Sequence, residues 1–125
     1  MQENTGKNIN NIRKNIAAKI LAGIYWIVLL TLTHIPRLGP IPDIPGKDKT
    51  IHFVSYCFGA ILLLIAFTGK AKGLKYIMIF VATIMIVGML DELTQPFVNR
   101  TCSLGDWIAD AGGIIAGTLI AIKLI

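Results

Sequence analysis

Long apolar runs alternate with short polar breaks along this chain. The first run extends from about Ile16 to Ile35, with Lys19 as its single charged residue; the second runs from about Ile51 to Thr68. The third runs from about Leu74 to Leu93 and ends in Asp91 and Glu92; the fourth runs from about Leu104 to Ile125, with Asp106 and Asp110 in its first turns. A helix needs about 20 residues to cross a hydrocarbon layer ~30 Å thick, and each run is near that length. Membrane strands need alternating segments of about ten residues, and no such alternation is present. The pattern predicts an all-α membrane protein, a bundle of four transmembrane helices.

Composition agrees. Of 125 residues, 54% are hydrophobic and 15% charged, against about 25% charged in an ordinary soluble domain. Mean hydropathy is +0.69. The length excludes a second large domain. The basic residues set an orientation. Lys7, Arg13, Lys14 and Lys19, then Lys70, Lys72 and Lys75, then Lys123 fall on one side of the four runs. Arg37, Lys47, Lys49 and Arg100 fall on the other. Cytoplasmic loops are enriched in Lys and Arg, so both termini are expected inside. The net charge of +5 then needs no nucleic acid to explain it.

Residues 1–16 read as a basic cytoplasmic segment and residues 17–125 as the four-helix domain. Ile9, Ile12 and Ile16 share a helical face, the mark of a short amphipathic stretch on the inner membrane surface. A signal peptide is the competing reading of the first run, but its exit, "LTLTHIPRLGP", has no pair of small residues placed for cleavage. Cys57 lies within the second run and Cys102 in the last loop, so a disulfide between them needs an oxidising outer face. The proline-rich "HIPRLGPIPDIPGKDK" is expected to form a stiff outer loop without helix.

With this topology the polar residues near helix ends gather in one outer layer. Asp48, Lys49, His52 and Tyr56 open the second helix; Asp91, Glu92 and Gln95 close the third; Arg100 follows in the loop; Asp106 and Asp110 open the fourth. Asp48, His52 and Tyr56 are spaced by four, so they share a face. Asp106 and Asp110 are also spaced by four, and their stripe continues through Gly113 and Gly117. Small residues let helices approach closely in a membrane, so the acidic face of the fourth helix is expected to be its packed face. Charges in a membrane segment normally face protein or water, so the acids are expected to line a small outward cavity. Acids outnumber Lys49 and Arg100 in this layer, and adding the loop residues Arg37, Asp43 and Lys47 leaves it acidic. Such crowding calls for protons, a bound cation or a cationic ligand group.

Structural explanations stand beside this one. Asp106 and Asp48 each suit an N-cap. Arg100 suits an interfacial anchor, and Tyr56 and Trp107 an aromatic belt. His52 suits a hydrogen bond to a carboxylate on another helix. Capping and belts leave Glu92 and Asp110 unexplained. A carboxylate near a helix C-terminus is opposed by the dipole, so Glu92 needs a partner, with Arg100, Lys49 and His52 as candidates.

"DKTIHFVSYCFGA" followed by "LDELTQPFVNRTCSLGDWIADAGGIIAG" resembles the VanZ-like family of small bacterial membrane proteins. The family's pattern is Asp-Lys-x-x-His with an aromatic one turn later, then Glu-x-x-Gln, an Arg, and Asp-x-x-x-Asn/Asp-x-x-Gly-x-x-x-Gly. It falls here on Asp48, Lys49, His52, Tyr56, Glu92, Gln95, Arg100, Asp106, Asp110, Gly113 and Gly117. Asp110 stands where many relatives have asparagine. The founding member is associated with low-level resistance to teicoplanin, a lipoglycopeptide. The resemblance implies an influence on the cell surface and attaches no reaction.

Two functional readings follow. In the first, Lys49, His52, Tyr56, Glu92, Gln95, Arg100, Asp106 and Asp110 bind a ligand such as a membrane lipid or a lipid-linked envelope precursor, with arginine suited to its phosphate. In the second, the chain is a membrane enzyme, with Glu92, His52, Asp106 and Asp110 as acid, base or metal-activating groups. A divalent cation held by Glu92, Asp106 and Asp110 fits either reading, and carboxylates favour Mg or Ca. There is no HExxH, no Cys/His zinc spacing and no Gly-x-Ser-x-Gly. A polar cluster that serves only assembly is the remaining alternative. So thin a bundle also suits a homodimer.

Overall fold

The computed structural model of the chain describes residues 2–36, 46–67 and 73–125, with side chains from residue 7 onward. Most of the proline-rich loop, including Arg37 and Asp43, and Lys70 and Lys72 of the middle loop lie outside the described residues. Four α-helices follow one another: α1 (Gln2–Thr33), α2 (Lys47–Phe67), α3 (Leu74–Thr94) and α4 (Leu104–Leu124). A single 3₁₀ turn, Gln95–Val98, extends α3. Each helix is long and apolar enough to cross a membrane. The architecture is the all-α four-helix bundle of a multi-pass membrane protein, with boundaries within a few residues of those the apolar runs predict except at the start of α1, which begins at Gln2 rather than near Ile16. The amphipathic stretch around Ile9, Ile12 and Ile16 is not a separate element, because α1 runs through it without a break.

Contacts between helices set their directions. Tyr25 Oη donates to the Ser55 carbonyl at 2.8 Å, Trp26 Nε1 donates to the Gly59 carbonyl at 3.2 Å, and Lys19 lies over the Phe67 ring. As α1 descends, α2 ascends, so the pair is antiparallel. Tyr56 meets Asp91 and Phe67 meets Phe80, so α3 is antiparallel to α2. Lys49 meets Asp106 and His52 meets Asp110, so α4 is parallel to α2. This up-down alternation places both ends of the chain at one end of the bundle and gathers the polar residues at the other.

The central contact is between α2 and α4, with α1 packed on α2 and α3 on α4. Gly113 and Gly117 make that contact possible. A Cβ on Gly113 would collide with the Phe53 carbonyl, and one on Gly117 with the Cys57 carbonyl. The two backbones therefore touch along the stripe that also carries Asp106 and Asp110. The apolar core is small: Trp26, Leu29, Tyr56, Ala60, Ile84 and Ile114 form its centre. Ile20, Ile24, Ile27, Val54, Phe58, Met78, Ile79, Ile86 and Leu119 point outward. That inversion suits acyl chains, which are as apolar as the side chains they meet.

Both cysteines are free. The backbone of Cys57 lies against Gly113 and Gly117, well inside α4, whereas Cys102 precedes that helix. The packing that holds α2 against α4 keeps the two thiols at different levels of the bundle.

Candidate functional site

The α2–α4 register fixes the first half of the site. With Phe53 against Gly113, the turn above brings His52 to Asp110 and Lys49 to Asp106. His52 Nδ1 lies 2.9 Å from Asp110 Oδ1, and Lys49 Nζ lies 3.0 Å from Asp106 Oδ1. Asp106 is not the N-cap of α4. Ser103 holds that position, and the Asp106 amide donates to the Ser103 carbonyl. The Asp106 side chain is thereby left for Lys49, whose side chain is half exposed. Lys49 is thus a counter-ion of α4.

Pro96 fixes the second half. Proline has no amide hydrogen and crowds the carbonyl four residues back, so α3 tightens into the 3₁₀ turn after Thr94. Asn99 then takes the left-handed conformation (φ 57°), and its amide closes the turn on Gln95 and Pro96. The reversal carries Ser103 back over Glu92, whose Oε2 accepts the Ser103 amide at 3.1 Å. Gln95 Nε2 donates to Glu92 Oε1 at 3.1 Å and to Asp91 Oδ2 at 3.3 Å. His52 Nδ1 is 3.6 Å from Glu92 Oε1. The predicted partner of Glu92 is therefore His52, joined by a backbone amide at the start of α4. Neither Lys49 nor Arg100 fills that role: Lys49 serves Asp106, and Arg100 turns toward a cavity.

The network extends to residues that the sequence reading left out of the site. Asp91 is buried and accepts from Thr33 Oγ1 at 2.6 Å and Tyr56 Oη at 3.2 Å. His34 Nδ1 lies 3.4 Å from Asp91 Oδ1, and its Nε2 lies 2.8 Å from Thr94 Oγ1. Thr33 and His34 close α1 and tie it to α3. Their signal in the sequence was an ionisable side chain at the outer end of the first apolar run.

A cavity of about 570 Å³ opens between the polar ends of α1 and α2. Thr33, Asp48, His52, Ser55, Tyr56 and Arg100 line it, and Leu29, Leu32, Ile35 and Ile51 form its apolar wall. Of the residues proposed from sequence, His52, Tyr56 and Arg100 face this space. Glu92, Gln95, Asp106 and Asp110 stand behind them, in the bundle. Trp107 is partly buried at the same level.

One grouping differs from the predicted cation set. Ligand atoms of His52, Glu92 and Asp110 all lie within 4.8 Å of one another. Asp106 is drawn away by Lys49, and His52 takes its place. The arrangement supports two kinds of chemistry: proton exchange between an imidazole and its flanking carboxylates, and charge-assisted binding in the adjoining cavity. No family model, no curated protein and no solved structure matches this chain.

Proposed function

We propose that this chain is a VanZ-like protein of the bacterial cytoplasmic membrane whose polar end faces outward, both termini lying in the cytoplasm. In this reading it binds the anionic headgroup of an envelope lipid or lipid-linked precursor and so influences cell-surface properties such as teicoplanin susceptibility. One observation carries the reading. One cavity joins an apolar wall to a guanidinium, an imidazole and hydroxyl groups, with the Asp48 carboxylate also in its lining. An amphiphile with a phosphate head needs that combination, and arginine supplies a planar fork of donors to phosphate. Lys49 supports from outside the cavity by neutralising Asp106. Tyr56, which lines the cavity, is held by Asp91, and Gln95 holds the same carboxylate.

The test is binding of phosphatidylglycerol in nanodiscs, compared with phosphatidylcholine alone, for the wild type and Arg100→Ala. The arginine variant is expected to lose about tenfold in affinity for the anionic lipid, one charge-assisted contact being worth roughly 1.5–3 kcal/mol, with its melting temperature unchanged. Equal affinity for the two lipids would refute the reading. In a susceptible Gram-positive host, expression should shift teicoplanin sensitivity more than vancomycin sensitivity, and Arg100→Ala should abolish the shift at equal protein level.

A membrane enzyme is the second reading, and the His52–Asp110 contact favours it. A carboxylate on Nδ1 orients the ring and leaves Nε2 to act on a ligand in the cavity as general base. Under this reading, release of a headgroup from a lipid-linked substrate should depend on His52, and His52→Gln should bind substrate without turnover.

A further inference from the structure

Asp110 is fully buried, and its Oδ2 is a buried oxygen with no hydrogen-bond partner among the described residues. A carboxylate has roughly four acceptor sites, and an unmet one in the interior is costly. The neighbouring carboxylates differ. Glu92 has a backbone amide and the Gln95 amide, and Asp91 has the Thr33 and Tyr56 hydroxyls and the same Gln95 amide. Among the described residues Asp110 has one hydrogen-bond partner, the His52 ring. Lys49, the nearest ammonium on the facing stretch of α2, is engaged by Asp106.

We infer that His52, Glu92 and Asp110 form a binding site for one divalent transition-metal ion, with Asp110 Oδ2 as the oxygen that awaits it. The chemistry selects the class. Three protein ligands within 4.8 Å of one another can close on an ion at ligand distances near 2.0–2.2 Å by small side-chain shifts. Imidazole suits Zn, Fe and Ni more than Mg or Ca, so the exchange of Asp106 for His52 moves the expected ion away from the hard cations. The Glu92 carboxylate is already oriented, since Gln95 and the Ser103 amide each hold one of its oxygens. The three ligands come from α2, α3 and α4, so a bound ion joins three helices. This goes beyond lipid binding and stands or falls separately from it, since Arg100 is no part of the site.

The test uses the full chain with Cys57→Ser and Cys102→Ser, so that thiols hold no metal, and with the affinity tag removed. It is stripped with chelator in mild detergent and loaded with ZnCl₂, MnCl₂ or MgCl₂. The expected result is one Zn²⁺ retained per chain after desalting, with a raised melting temperature, Mn²⁺ held more weakly and no such effect of Mg²⁺. Asp110→Asn and Glu92→Gln should each weaken retention at least about tenfold, since loss of even an outer-shell partner costs ~10–100-fold in metal affinity. Asp106→Asn should retain the ion as the wild type does. Substoichiometric metal on the unsubstituted site overturns the inference and needs no variant to fold. Preference for Mg²⁺, or retention that survives both Asp110→Asn and Glu92→Gln, overturns it as well.

Discussion

Glu92 links α3 to the start of α4 and to α2. It accepts a main-chain amide from the turn before α4 and a side-chain amide from its own helix, and it flanks the His52 ring. Removing the carboxylate leaves the Ser103 amide short of an acceptor and the Gln95 amide with Asp91 alone, and an unmet buried group costs about 1–3 kcal/mol. Glu92→Ala should therefore lower the melting temperature in detergent by several degrees, whereas Lys75→Ala, at an exposed position, should not move it. Equal melting of the two would mean that Glu92 is solvated. Tyr56→Phe should be milder. It removes one donor from Asp91, which keeps Thr33 and Gln95, and hydrogen bonds between membrane helices average about 0.6 kcal/mol. A melting loss for Tyr56→Phe larger than that for Glu92→Ala would reverse this ranking of the two halves of the network.

At the scale of the elements, the α2–α4 interface governs the site, because the register that docks Phe53 on Gly113 also docks His52 on Asp110. A methyl group at Gly113 must push two backbones apart. Gly113→Ala is accordingly expected to destabilise the bundle and to weaken the His52–Asp110 contact. Gly23, also helical, has nothing within 4 Å of where a Cβ would stand. Gly23→Ala should leave melting unchanged or raise it, by up to the ~1 kcal/mol that separates the two residues in helix propensity. Thermal melts of the two alanine variants check the contrast. If Gly113→Ala melts with the wild type, the backbones are not in contact.

For the whole molecule, orientation is the remaining variable. Helix alternation puts both chain ends opposite the polar layer, and the excess of Lys and Arg lies at those ends and in the loop between α2 and α3. Cys102 is exposed in the loop at the polar end, so it is a native reporter. A membrane-impermeant maleimide should label Cys102 in intact cells. In a Cys102→Ser background, a cysteine placed at Lys123 should be labelled only after the membrane is opened. The reverse pattern would turn the cavity toward the cytoplasm and remove the proposed contact with the envelope.

The sequence alone determined the number of helices, their approximate ends apart from the start of α1, the single layer of polar residues and the packed face of α4. These follow from local patterns: run length against bilayer thickness, and spacings of three and four on a helix. Only the tertiary structure decided who meets whom within that layer. Spacing placed Asp106 and Asp110 on one face, but it could not show that α2 runs beside α4 in a register that gives Lys49 to Asp106 and His52 to Asp110. Nor could it show that the turn at Pro96 returns a backbone amide to Glu92 while Arg100 goes to the cavity. Thr33, His34 and Asp91 entered the site for the same reason. Their partners lie on other helices, and contacts between distant segments depend on helix direction and packing distance, which no local pattern records.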